Sequence, residues 1–136
     1  MELAWPLKQI ETNLFSLDYV GRDVGIEEAK ASGLDIIIPK PNELQIDIDS
    51  DEAMTGFYER WEMFLRMIPA STKRIAPSKS GYPRAHITIT LPFDIEDLER
   101  VLFQSLLGSD YKREMLNTSR VLMGDPDPIV FFERKV

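Results

Sequence analysis

The chain has no cysteine. That excludes a disulfide framework, a thiolate metal site and a cysteine nucleophile, and it fits a reducing interior. No apolar run approaches the roughly 18–20 residues of a membrane span, so no membrane partner is expected. The stretch MELAWPLKQIE lacks a basic region followed by an apolar block, so the expectation is a cytoplasmic protein with no secretory signal. Basic residues are in deficit: 16 Lys and Arg stand against 23 Asp and Glu, a net charge of -7. A protein that coats nucleic acid non-specifically needs a basic surface, so this balance counts against one. Repeats, low-complexity tracts and linkers are also missing.

What is present is an ordinary globular chain. At 136 residues, with seven Phe and two Trp, it reads as a single domain over 1–136 that can bury a core without staples. Its charge is uneven. Residues 1–60 carry a net -8, residues 61–90 a net +4 and residues 91–136 a net -3. An acidic body with one basic segment suits a local phosphate site, although a run of loop charge is more often just a solvated face.

The hydrophobic pattern predicts alternating elements. NLFSLDYV can form a strand, and IEEAKAS followed by Gly33 reads as a short helix with a glycine stop. LDIII and LQIDID flank the turn residues PKPNE, which suggests a hairpin or neighbouring strands. Ser50 or Asp51 caps a helix whose stripe is Phe57, Trp61, Phe64, Leu65 and Ile68, ended by Pro69. ASTKRIAPSKSGYPRA reads as a loop, or a short strand and a loop. HITITL alternates as a strand, with Ile87, Ile89 and Leu91 opposite His86, Thr88 and Thr90. A second helix is expected to turn Ile95, Leu98, Val101, Leu102 and Leu106 inward and to stop at Gly108. A short helix capped by Ser109 or Asp110 and a strand in PIVFFERKV complete the chain. The expected class is α+β, with an RRM-like or ferredoxin-like mixed sheet packed by two main helices.

The stretch LQIDIDSDEA carries the first chemical signal. Asp47 and Asp49 lie two apart on a strand and share a face, while Leu44, Ile46 and Ile48 point the other way. Carboxylates so spaced can hold Mg²⁺ or Mn²⁺, although a lone D-x-D is more often a wet strand face. The second signal is SKSGYPRAH. Ser78, Lys79, Ser80, Arg84 and the only histidine, His86, together offer hydroxyls, a glycine turn and cations to a polyphosphate. Taken alone, His86 is more often structural.

In order, these motifs resemble the archaeo-eukaryotic primase superfamily, whose core has a D-x-D strand, then an s-x-H strand, then a later acid. LQIDIDSDEA followed by PSKSGYPRAHITITLPF is similar to the polymerase domain of bacterial end-joining ligases. LERVLFQSLLGSDYKREML is similar to small phage proteins of this type. The resemblance covers about residues 34–120. It implies a minimal primase-polymerase core in which Asp47, Asp49 and Asp110 hold Mg²⁺ or Mn²⁺ as catalytic carboxylates. Ser78, Lys79, Ser80, Arg84, His86 and Arg113 would bind a nucleoside triphosphate, and Arg120 is a weaker candidate. Implied partners are a DNA or RNA template-primer and other replication proteins. Asp125 and Asp127 rival Asp110 as the third acid, but a Gly/Pro turn explains them. GYPRAH is a longer approach to the histidine than the family uses, and without cysteine there is no zinc module.

The leading expectation is thus a metal-dependent nucleotidyltransferase of replication or repair. The alternative is a catalytically inactive nucleotide- or nucleic-acid-binding accessory protein on the same fold. Phosphatase and glycosyltransferase uses of D-x-D call for longer domains. An interaction protein would leave Asp47, Asp49 and His86 on separate surfaces.

Overall fold

The computed structural model describes residues 22–77 and 84–134. The expected strand in NLFSLDYV and the residues Ser78, Lys79 and Ser80 lie outside them. The described chain is a mixed α+β structure. Helix α1 (Arg22–Ala31) leads through Gly33, at φ 76°, into β1 (Leu34–Ile37). Next come β2 (Glu43–Ile48), α2 (Asp51–Met67), β3 (Ser71–Pro77) and β4 (Ala85–Thr90). Helices α3 (Asp97–Leu106) and α4 (Tyr111–Met123) precede β5 (Phe131–Arg134). No helix among the described residues is long and apolar enough to cross a membrane.

The strands form two antiparallel sheets where a single mixed sheet was expected. One has the order β2-β4-β3, and β4 is antiparallel to both neighbours. β2 and β3 therefore run the same way, joined by α2, with β4 slotted between them. The other sheet is a two-stranded ribbon of β1 and β5, with Ile37 opposite Phe131. β1 thus pairs with the end of the chain instead of forming a hairpin with β2. The PKPNE turn between them makes its own bonds: Glu43 N donates to Lys40 O, and Lys40 N donates to the Glu43 carboxylate at 2.9 Å. That geometry redirects the chain without zipping the two strands together.

Alternation places Leu44, Ile46 and Ile48 of β2, with Ile87 and Ile89 of β4, on one face. All five are fully buried against Phe57 and Phe64 of α2. Each contributes about 1.5–3 kcal/mol on burial. Trp61 stacks between Phe57 and Phe64, and Phe103 of α3 meets Phe64 edge-on. Leu65, expected in this stripe, is exposed. Ser50 caps α2 by accepting a hydrogen bond from Ala53 N.

Helix α3 departs most from its pattern. Leu98, Leu102 and Leu106 are 45%, 56% and 58% exposed, while Arg100, Val101 and Gln104 are buried. The helix is rotated away from its Leu stripe because its inner face carries polar work. Gln104 Oε1 accepts from Gln45 N on the free edge of β2 at 2.8 Å. Along the same edge Ser109 Oγ accepts from Asp47 N, Arg113 donates to Gln45 O, and Asp110 N donates to Asp47 O. An open strand edge is a liability, and here the α3–α4 corner closes it with side chains and one backbone amide where another strand would otherwise pair.

Candidate functional site

The second face of the β2-β4-β3 sheet carries Glu43, Gln45 and Asp47 from β2, His86 and Thr88 from β4, and Arg74 from β3. The ribbon covers it. Phe131 of β5 lies flat on the His86 ring, with centroids 3.8 Å apart and an interplanar angle of 2°. Gln45 Nε2 donates to Ile37 O of β1. Gln45, His86, Thr88 and Glu133 are all buried in this layer.

Strand register sets Asp47 directly across from His86. The Asp47 Oδ1 to His86 Nε2 distance is 3.6 Å. On the far side of the ring, His86 Nδ1 is 2.9 Å from Glu133 Oε2, and Arg74 donates to Glu133 Oε1 at 2.6 Å. The result is a row of alternating acid and base: Asp47, His86, Glu133, Arg74. Burial pushes Asp47 up from 3.8 to about 6; Arg113 opposes this, while Asp110, Asp49 and Glu114 add to it. Burial also lowers His86 from the ordinary imidazole range, against the raising effect of Glu133. For Glu133 burial acts upward, but the hydrogen bonds from Arg74 and His86 outweigh it and hold the carboxyl below its ordinary range.

The remaining candidates divide by location. Asp49 sits just past the end of β2 and pairs with Arg84 at 3.1 Å, both more than half exposed. A pair so exposed is screened and contributes little to stability. Asp110 adjoins Asp47 through its backbone, but its carboxylate caps α4 by accepting from Arg113 N at 3.1 Å. The Arg113 guanidinium is committed to Gln45 O, Gln45 Oε1, Glu114 and Val130 O, and it lies 4.8 Å from the Phe131 ring centroid. Beside Asp49 and Asp110 a groove of about 500 Å³ opens between α2 and the α3–α4 corner, lined also by Arg60 and Tyr111.

Two residues of consequence escaped the sequence reading. Glu133 is the later acid that joins Asp47 and His86 on this face, where Asp110 or its rivals were expected to complete the acidic set. Its signal was alternation in IVFFERKV, which puts Phe131 and Glu133 on one face. Glu114 is the hub of the β2 edge. It is 3% exposed and accepts from Gln104, Asn117, Ser109 and Arg113. Nothing in the local sequence marks it, because its donors come from three separate elements.

The carboxylates do not form a ready metal cage. Among the described residues no group of three His, Cys, Asp or Glu side chains is arranged to hold an ion. Asp47 faces His86, Asp49 faces Arg84 and the Asp110 carboxylate is used as a helix cap, so the expected Mg²⁺ or Mn²⁺ set does not fit this arrangement. No family model, no curated protein and no solved structure matches the chain.

Proposed function

We propose that this chain is a nucleotide-binding domain of the primase-polymerase type, on an RRM-like core, serving DNA replication or repair. The single observation that carries the reading is the pairing of Asp47 with His86 across adjacent strands. The two motifs that suggested the family lie 39 residues apart in sequence, yet their polar residues meet on one sheet face. The β2-α2-β3-β4 order, with β4 between β2 and β3, agrees with an RRM-like core. Arg84, at the end of the sheet beside Asp49, supplies an exposed cation for a triphosphate.

Of the two forms this domain can take, the non-catalytic accessory protein has the stronger support. The ribbon buries the sheet face on which a template-primer would lie, and Glu133 with Arg74 engages the inner side of His86. The Asp47, Asp49 and Asp110 carboxylates serve other partners, so no transfer step is drawn through a metal ion.

The test uses tag-free protein titrated with nucleoside triphosphates and deoxynucleoside triphosphates in Mg²⁺, Mn²⁺ or chelator. Saturable binding is expected, weakened on the order of tenfold by Arg84→Ala, about one charge-assisted hydrogen bond. A primer-extension assay run in parallel is expected to show no incorporation. Absence of nucleotide binding in all conditions would sink the proposal. Incorporation that disappears in Asp47→Asn would replace the accessory reading with the enzymatic one.

A further inference from the structure

His86 is the only histidine of the chain, and its two ring nitrogens face opposite chemistry. Nδ1 lies 2.9 Å from a Glu133 carboxylate that Arg74 keeps ionised. A carboxylate can only accept, so Nδ1 must carry the proton. In the neutral ring Nε2 then holds a lone pair, and that lone pair looks toward Asp47 Oδ1 at 3.6 Å. An ionised Asp47 carboxylate oxygen and the Nε2 lone pair are both acceptors. Two acceptors facing each other repel, and the group that satisfies both is a hydrogen-bond donor. The remaining neighbours offer little help. Phe131 covers the flat of the His86 ring, and Arg113 is committed to Gln45, Glu114 and Val130. Both ends of the row reach solvent, Arg74 at 43% and Asp47 at 26% exposed, and Asp47 is the end on the Nε2 side of the ring, so a ligand for Nε2 approaches there.

We infer that Glu133 is a positioning residue: it fixes His86 as the Nδ1–H tautomer, so that Nε2 and Asp47 together accept a hydrogen bond from a sugar hydroxyl of the bound nucleotide. This rests on the nucleotide-binding reading and sharpens it. A ring held in this way cannot donate to a triphosphate oxygen while neutral. His86 therefore reads the sugar, and phosphate recognition falls to other groups.

The test has two arms, both run in chelator so that bound cations do not enter. Long-range ¹⁵N spectra of free, tag-free protein report the tautomer directly, and one histidine gives one unambiguous signal set. The expected result is a protonated Nδ1 and an unprotonated Nε2 in the wild type. Glu133→Gln keeps an acceptor oxygen and should preserve that pattern, whereas Glu133→Ala should mix the tautomers. The second arm compares a nucleoside triphosphate with its deoxy and dideoxy forms. Loss of the hydroxyl that is read should weaken binding about tenfold in the wild type and in Glu133→Gln, and by less than twofold in Glu133→Ala. A wild-type ring protonated at Nε2, or a tautomer indifferent to Glu133→Ala, overturns the positioning role. Equal affinity for all three nucleotides overturns the hydroxyl contact. If no nucleotide binds, the functional reading and the hydroxyl contact fall together, while the spectra still decide what Glu133 does to the ring.

Discussion

Replacing Glu114 by alanine should unfold the corner that closes the β2 edge, and its cost can be worked from the bonds it makes. Oε1 accepts from Gln104 Nε2 at 2.8 Å and from Asn117 Nδ2 at 3.2 Å. Oε2 accepts from Ser109 Oγ at 2.6 Å and from Arg113 Nη1 at 2.7 Å. Truncation leaves buried donors without an acceptor, each costing about 1–3 kcal/mol if nothing replaces it. It also strips the counter-charge from Arg113, whose side chain is 14% exposed. Breaking a buried ion pair on one side costs about 3–5 kcal/mol. Part of this overlaps with the lost hydrogen bonds, and Arg113 keeps its carbonyl partners, so the expected total is about 3–5 kcal/mol. For a chain of this size that corresponds to a fall in Tm of roughly 10–17 °C. Chemical denaturation measures the energy. Amide hydrogen exchange locates it, because Gln45 N and Asp47 N bond to Gln104 and Ser109, the side chains that Glu114 holds. Those two amides should lose protection more than Ile46 and Ile48, their neighbours on the strand. A loss below about 1 kcal/mol, or unchanged protection at Gln45 and Asp47, would refute the reasoning that Glu114 organises the edge.

Two further outcomes follow from the same structure. Asp47→Asn should stabilise the protein at pH 7.5 and not at pH 4. Because the folded pKa is raised from 3.8 to about 6, the native state holds its proton longer than the unfolded chain, so the stability Asp47 contributes is complete below pH 4 and lost as pH rises through 6. The gain from the substitution is at most about 3 kcal/mol at neutral pH, reduced by partial exposure. Melting curves from pH 4 to pH 8 in chelator check it, and a wild type and variant whose difference is flat with pH would contradict it. Arg100→Met should be neutral or stabilising by about 1 kcal/mol. Arg100 is 4% exposed; its Nη2 reaches Pro41 O at 3.3 Å and its Nε stands 3.8 Å from Asp97, yet Nε and Nη1 lack hydrogen-bond partners. A loss above about 2 kcal/mol in urea titration would show that the guanidinium is better satisfied than its contacts indicate.

The sequence by itself determined much of the local structure of the described chain, although STKRIAP, read as a loop or a short strand, forms the seven-residue strand β3. Period-two alternation in LQIDID and HITIT assigned strands and faces, because side chains on a strand must alternate, and Leu44, Ile46, Ile48, Ile87 and Ile89 went into the core as read. Gly33 and Gly108 ended their helices or turns as read, and of the candidate caps Ser50 or Asp51 and Ser109 or Asp110 the structure uses Ser50 and Asp110, because a cap or a left-handed glycine acts within a few residues of itself. Asp47 and His86 were legible as polar residues on strand faces. Which strands pair was not legible. Only the tertiary structure joined β1 to β5, since partners nearly a hundred residues apart leave no local mark. That one pairing brought Glu133 and Phe131 onto His86 and covered the sheet face. The exposed Leu98, Leu102 and Leu106 stripe has the same origin: an apolar period predicts a buried face only when no other demand turns the helix. Here α3 and the corner after it turn Gln104, Ser109 and Arg113 to the open edge of β2, and the three leucines are left half in water.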